Sequence, residues 1–221
     1  MNSSVSSAQN SLMLVESARY ALLRRLAFSI RHQMVAHLQP IGMVTELLER
    51  RLRSPSPDLA QVHDSVAKIN GLSKAAAQDT LDVITWMAPE PGATAPLDAV
   101  LKDTVTLLRG NFSFRGFALK SDVESLPKPV GRAAARMLLP AALLALTDTV
   151  EGPAEVLVTA QTREDVVLVD LQLRRTQGES FENQLSYRAI TWPEVRALAA
   201  AEDVELSHTE DRASLAFPIL E

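Results

Sequence analysis

Two histidines lie close together in the segment RHQMVAHLQPIGMVTELLE, and an imidazole nitrogen is a nucleophile that can hold a transferred group covalently. Apolar residues in this segment recur at spacings of three and four, which predicts a helix with one apolar stripe. His32 is two residues beyond Ile30 of that stripe, so its side chain points about 200° around the helix from it. His37 falls on the stripe itself. The spacing therefore predicts an exposed imidazole at His32 and an imidazole satisfied inside a core at His37.

The helical neighbours of His32 combine apolar, polar and basic side chains. Such a mixed surface is suited to docking a protein partner and to holding a phosphoryl group by charge-assisted hydrogen bonds. The side chains predicted to form it are Arg25, Phe28, Ser29, Val35, Ala36 and Gln39. A plain amphipathic helix with one histidine on its surface is the alternative interpretation of the same pattern.

Two long helices are needed to position this segment. The apolar stripe continues from about Leu12 to Leu52, which predicts one long helix. The prolines of RSPSPD then predict a short loop, after which a second apolar stripe reaches Trp86. One hairpin cannot bury both stripes, so we expect it to pair with a second copy as a homodimeric four-helix bundle. Residues 1–11 are predicted to be a flexible N-terminus, and residues 12–88 to form the hairpin.

A second domain follows the breaker segment PEPGATAP and is predicted to span residues 95–221. Apolar helices and a charged TRED turn between two strand-like runs are typical of an α/β sandwich with helices on one face of the sheet. The predicted elements are helices at 97–108, 131–150 and near 192–201, and strands at 156–160, 166–171, 204–206 and 214–217. The chain is thus predicted to be α+β, a helical hairpin followed by an α/β sandwich of helices and antiparallel strands.

The order of these parts resembles the core of two-component histidine kinases over nearly the whole chain, from about residue 12 onward. The segment RHQMVAHLQPIGMVTELLE resembles the family's phosphoacceptor box, in which Glu-Leu-Leu follows the histidine after fourteen positions. Taking His32 as the acceptor puts the Glu-Leu-Leu of residues 46–48 in that place, whereas His37 would put the Arg-Leu-Arg of residues 51–53 there. The resemblance therefore implies that His32 accepts the phosphoryl group. It also implies a bend near Pro40, although the family's proline usually lies closer to the histidine.

Two positions of the box depart from the family pattern. After the histidine, active kinases carry Asp or Glu, which takes a proton from the imidazole as it attacks ATP, and Gln33 cannot do this. Four positions after the histidine, members with phosphatase activity carry Asn or Thr to align a water, and Ala36 has no polar atom for that task. The resemblance thus implies neither autophosphorylation from ATP nor phosphatase activity by that route.

The second domain resembles the family's ATPase-type domain but departs from it at the nucleotide site. The helix MLLPAALLALTDTV resembles the family's first ATP-site helix, yet it lacks the asparagine that binds magnesium. After the strand VVLVDLQL the family has an Asp-x-Gly-x-Gly turn, and this chain has Arg174, Arg175 and Thr176 instead. No glycine occurs between Gly178 and Trp192, where the family has a glycine-rich phosphate lid. These three losses imply that the domain binds no ATP.

Composition argues against several other classes of protein. A net charge of −5 with 22% charged residues gives no broad basic surface, so nucleic acid is not an expected partner. No run of about 20 apolar residues predicts a membrane span, and the polar start MNSSVSSAQNS is unlike a signal peptide. The absence of cysteine is compatible with a reducing cytoplasm, where we expect the protein to reside. His63 and His208 lack ligand spacing, so no metal site is predicted.

The leading functional hypothesis from the resemblance is a histidine phosphotransferase. The imidazole of His32 would take a phosphoryl group from the aspartyl phosphate of one response-regulator receiver domain and give it to a second. The receiver would supply the magnesium, so this chain would need no cofactor of its own. One alternative is a pseudokinase scaffold that binds a response regulator or a kinase without chemistry. The other is a working sensor kinase, which needs the ATP-binding residues that this sequence lacks.

Overall fold

A computed structural model describes residues 2–88, 90–178, 185 and 187–220 of the chain. The chain opens with two long helices, α1 (Asn2–Leu52) and α2 (Leu59–Met87), joined by a short loop. Helices and strands then alternate, which confirms the predicted α+β class. In chain order these elements are β1 (Thr94–Pro96), α3 (Leu97–Phe114), β2 (Phe117–Asp122), β3 (Pro129–Gly131), α4 (Arg132–Asp148), β4 (Ala154–Arg163), β5 (Val166–Arg175), α5 (Trp192–Ala201), β6 (Glu205–His208) and β7 (Arg212–Pro218).

The first helix begins well before the predicted start at Leu12. It includes residues 2–11, which their polar composition predicts to be a flexible N-terminus. Periodicity misses this part because its serines and asparagines provide no apolar stripe. The second helix begins where a capping residue indicates. The carboxylate of Asp58 accepts hydrogen bonds from the backbone of Ala60 at 2.9 Å and of Gln61 at 3.4 Å, which satisfies the free amides of the first turn.

The chain divides into two compact units, and the division falls inside α1. Residues 28–89 form the hairpin unit, and residues 1–27 group with residues 90–221 as the sandwich unit. The sequence instead predicts one hairpin over residues 12–88. The difference arises because the first part of α1 contributes its own buried side chains to the sandwich unit. They are Val15, Ala18, Ala21, Leu22, Arg25 and Leu26.

A five-stranded sheet in the order β2-β4-β5-β7-β6 forms one layer of the sandwich unit. The TRED hairpin is confirmed, since Arg163 of β4 pairs with Val166 of β5 across the turn. β2 runs parallel to β4, with Phe117 opposite Ala154, so the sheet is mixed and not purely antiparallel as predicted. The sequence did not indicate β2, because FALKSD has its buried positions at only one end of the strand.

Alternate residues along the central strands are buried and form the core with the helices. In β5 the buried residues include Val167, Val169 and Leu171, which follow the two-residue period of a strand with one covered face. Helix α4 is different, because every residue from Met137 to Asp148 is buried. A helix that is buried on every side has no face that must be polar, which explains why α4 is apolar around most of its circumference.

Candidate functional site

His32 is exposed on α1 within the hairpin unit, as its helical position predicts. Its imidazole lies parallel to the ring of Phe28, with ring centroids 6.4 Å apart and an angle of 8° between the planes. Phe28 is four residues earlier, and side chains at that spacing are neighbours on a helix. The guanidinium of Arg31 lies 5.6 Å from the centre of the same phenyl ring. An aromatic ring, a cation and an imidazole therefore meet on one exposed part of the helix.

Most of the predicted docking surface is accessible. Phe28 and Val35 are 45% and 46% exposed, and Ala36 and Gln39 are exposed as well. Ser29 is half-buried. These positions remain candidates for contact with a partner, and their role stays a prediction.

Arg25 does not belong to this surface. It is only 2% exposed, and its guanidinium donates to both carboxylate oxygens of Asp148, at 2.5 and 2.7 Å. The prediction that it docks a partner fails because helical spacing cannot reveal a buried acid far along the chain. The exposed cation beside His32 is Arg31, which the sequence analysis did not select. Its position three residues after Phe28 was the available signal.

His37 is half-buried in the hairpin unit, with 32% of its side chain exposed, so it is less enclosed than its place on the apolar stripe predicts. Its Nδ1 lies 2.7 Å from Oδ2 of Asp79, a residue of α2 that is only 8% exposed. The other oxygen of Asp79 accepts a hydrogen bond from the side-chain amide of Gln33 at 3.0 Å. One carboxylate therefore binds two polar side chains of α1 that follow the phosphoacceptor candidate in sequence. Asp79 was not anticipated, because its pairing depends on the register between the two helices.

Helix α4 resembles the family's first ATP-site helix. In its last turn, other groups of this chain contact the side chain of Asp148. Asp148 is contacted there by Arg25, by Arg115 at 3.1 Å and by the backbone amide of Ile190 at 2.9 Å. Burial lowers the pKa of the Arg115 guanidinium below its usual value, and the charge of Asp148 opposes that change. The carboxylate is thus neutralised by two buried cations and has no access to solvent.

The two other departures at the nucleotide site lie near the end of β5. Arg174 and Arg175 end the strand and are exposed, and the guanidinium of Arg174 donates to the side chain of Gln172 at 2.9 Å. Arg174 therefore faces solvent at the strand end where the family carries an acidic turn. Most of the segment in which the sequence lacks a glycine-rich lid, residues 179–184 and 186, lies outside the described residues.

Neither a metal site nor a spanning helix is found in the described part of the chain. Among its residues, no group of three or more His, Cys, Asp and Glu side chains is arranged to hold an ion. Within the same residues no helix is both long and apolar enough to cross a bilayer. His63 is exposed, and His208 stacks on Trp192 with ring centroids 4.1 Å apart.

Comparisons by sequence and by structure give different results. No protein-family model and no curated protein matches this sequence. Among solved structures, the catalytic domain of the histidine kinase ThkA is similar, with a TM-score of 0.45 at 10% identity over 57% of this chain and 93% of that one. Acinetobacter baumannii histidine kinase AdeS gives a TM-score of 0.43 at 13% identity over 81% of this chain and 96% of that one. A bacterial phosphotransferase gives 0.39 at 13% identity over 89% of this chain and 95% of that one.

Histidine kinases are thus among the solved structures to which this chain is similar. A likeness at these identities and TM-scores carries no argument about activity or partners. The functional assignment therefore depends on the chain's own residues.

Proposed function

We propose that this protein is a histidine phosphotransferase of a two-component phosphorelay, which passes phosphoryl groups between receiver domains through His32 without binding ATP. The observation that carries the proposal is the accessible imidazole of His32 beside Phe28 and Arg31. A transferred phosphoryl group needs an exposed nucleophile and a nearby cation, and both are present there. His37 is a poorer candidate because its ring is engaged with Asp79.

The proposed step transfers one group between two side chains. The lone pair of an imidazole nitrogen of His32 forms a bond to the phosphorus of a receiver's aspartyl phosphate. The bond between that phosphorus and the aspartyl oxygen breaks, and the carboxylate leaves with the electron pair. The second imidazole nitrogen keeps its proton throughout. The reverse step delivers the group to a second receiver, so no proton acceptor is required in place of Gln33.

Transfer from a receiver is the direct test of this proposal. We expect the purified protein to acquire acid-labile label when it is incubated with a receiver domain phosphorylated on its aspartate. A protein that binds cognate receivers in the same assay and never acquires label would instead be a non-catalytic scaffold.

Binding of ATP is not expected, and the packing around α4 supports this view. The terminal turn of α4 is enclosed, and Asp148 is occupied by Arg25 and Arg115. A nucleotide phosphate would have to displace a buried ion pair at this place, which costs several kcal/mol. The proposed phosphotransferase therefore obtains its phosphoryl group from a protein.

Magnesium ATP is therefore expected to leave the melting temperature of the protein unchanged. A ligand at a hundred times its Kd would stabilise the folded state by about 2.7 kcal/mol, which a thermal melt detects easily. Differential scanning fluorimetry with millimolar ATP and magnesium makes the measurement, with magnesium alone as the control. A clear upward shift with ATP would contradict the loss of the nucleotide site.

We further propose that the hairpin unit pairs with a second copy. The contact between α1 and α2 is partly polar, with Asp79 bridging Gln33 and His37 and the side chain of Arg51 bonding Ser65 at 2.7 Å. The apolar stripe of α1 is only half-buried within one chain. Its members in this unit are Ile30, Met34, Ile41, Val44 and Leu48. A second hairpin would cover this remaining apolar surface, as in a four-helix bundle.

Replacing Ile41 with glutamate is expected to dissociate the dimer or unfold the hairpin unit. The substitution would bury an unpaired charge in the interface, which is strongly unfavourable. Analytical ultracentrifugation at micromolar concentration measures the change, and Gln39→Glu on the exposed side of the same helix is the matched control. A wild-type protein that sediments as a stable monomer would rule out this mode of pairing.

A further inference from the structure

Arg31 is the cation that accompanies His32, and the contacts of Phe28 join the two. The phenyl ring has the imidazole of His32 6.4 Å from its centre and the guanidinium of Arg31 5.6 Å from its centre. Phe28 precedes Arg31 by three residues and His32 by four, so both side chains lie over its ring. A phenyl ring attracts a guanidinium through its negative face and so limits the positions that the cation can take.

The charge of Arg31 is not neutralised by the residues that the structure describes. None of their carboxylates lies within ion-pair distance of it, whereas Arg25 is paired with Asp148 and Arg19 with Glu16 and Glu202. The sequence of α1 also contains no acidic residue between Glu16 and Glu46. The neighbourhood of His32 therefore carries an available positive charge in a protein whose net charge is −5.

We infer that Arg31 is a phosphoryl-binding residue, which attracts and orients the anionic group that reacts with His32. A guanidinium binds phosphoryl oxygens by charge-assisted hydrogen bonds, two of which can form in parallel. The inference deepens the proposed function, on which its biological meaning rests. The chemistry itself can be tested on this chain without any receiver.

The test compares two small reagents that attack the same imidazole and differ in charge. In the reaction with phosphoramidate, the imidazole lone pair forms the bond to phosphorus, the P–N bond breaks, and the departing nitrogen leaves as ammonia with the protons it already carries. Diethyl pyrocarbonate is a neutral electrophile that acylates imidazole. Peptide mass spectrometry measures the rate of each reaction at His32 in the full-length protein.

Arg31→Gln is expected to slow phosphorylation of His32 by phosphoramidate about five-fold at low salt, because one unit charge near the reacting anion is lost. Reaction with diethyl pyrocarbonate should change less than two-fold. Arg31→Lys should restore only part of the phosphorylation rate, since an ammonium keeps the charge but lacks the paired hydrogen bonds of a guanidinium. High salt should reduce the difference between wild type and Arg31→Gln. Arg50→Gln, an exposed arginine of the same helix, is the matched control and should leave both rates unchanged.

Three results would overturn the inference. One is equal phosphoramidate rates in wild type and Arg31→Gln, another is equal slowing by both reagents, which means a structural role, and the third is a wild-type His32 that phosphoramidate does not modify. Failure of the proposed function looks different, because it appears only as the absence of label from phosphorylated receivers. The two failures are therefore distinguishable.

Discussion

Replacing Asp148 with alanine is expected to destabilise the sandwich unit by about 3–5 kcal/mol, because it leaves two buried cations without their shared anion. Arg25 and Arg115 both contact this carboxylate, and neither side chain is more than a few per cent exposed. Removing one partner of a buried ion pair costs more than the pair itself contributes, since the remaining charges cannot be solvated. The backbone amide of Ile190 would lose its acceptor as well.

Thermal and urea denaturation measure this effect, and an exposed ion pair of the same chain provides the control. Arg53 and Glu49 are 3.4 Å apart with side chains 81% and 63% exposed, so Glu49→Ala should leave the melting curve almost unchanged. The melting temperature of Arg25→Met should lie between those of Asp148→Ala and Glu49→Ala, because Asp148 keeps its contact with Arg115 in that variant. If Asp148→Ala and Glu49→Ala had the same melting temperature, the ion pairs of Asp148 would not stabilise the sandwich unit as proposed.

The fold could be predicted well wherever local periodicity determined the element. The helix near residues 192–201 and the β4–β5 hairpin lie where apolar spacing and turn chemistry put them. Elements with weak local signals were missed. The start of α1 is polar, β2 has buried residues only at its first positions, and neither has a repeating apolar pattern. The conformation of β2 depends on its pairing with β4, which is distant in sequence.

In the candidate site, the sequence likewise predicts what depends on local helical spacing and fails to predict contacts between residues distant in sequence. The exposure of His32 follows from the angle between successive residues on one helix, which the sequence determines. The burial of Arg25 depends on Asp148, 123 residues later, and the pairing of His37 depends on Asp79, 42 residues later. No helical spacing contains such information. Basic residues on one helix therefore cannot be assigned to a docking surface until their acidic partners are known.

Helix α1 is divided between the two units, and its arginines differ in their partners on the two sides of this division. Before Ala27, Arg19 and Arg25 are paired with acids of the sandwich unit, where their contribution is to stability. After Ala27, Arg31 stands beside His32 without such a partner among the described residues. The structural and the proposed chemical functions of one helix are thus separated along its length.

His32→Ala is expected to abolish acquisition of label from a phosphorylated receiver, and to leave dimerisation and melting nearly unchanged. The side chain is exposed, and substitutions at such positions usually shift stability by less than about 0.5 kcal/mol. Loss of the nucleophile removes the reaction completely because the group has no other covalent acceptor in this scheme. Transfer assays and thermal melts on the same preparation separate the loss of chemistry from a loss of fold.

His37→Ala is the matched comparison, because it removes the second imidazole from the same helix with the opposite expected result. The buried carboxylate of Asp79 would lose one of its two partners and keep only Gln33, at a cost of about 1–3 kcal/mol of stability. Transfer should persist at temperatures where the variant is folded. A transfer defect confined to His37→Ala would show that His37 is the acceptor and that its contact with Asp79 prepares the imidazole for attack. Equal transfer by wild type and His32→Ala would exclude His32 from the reaction.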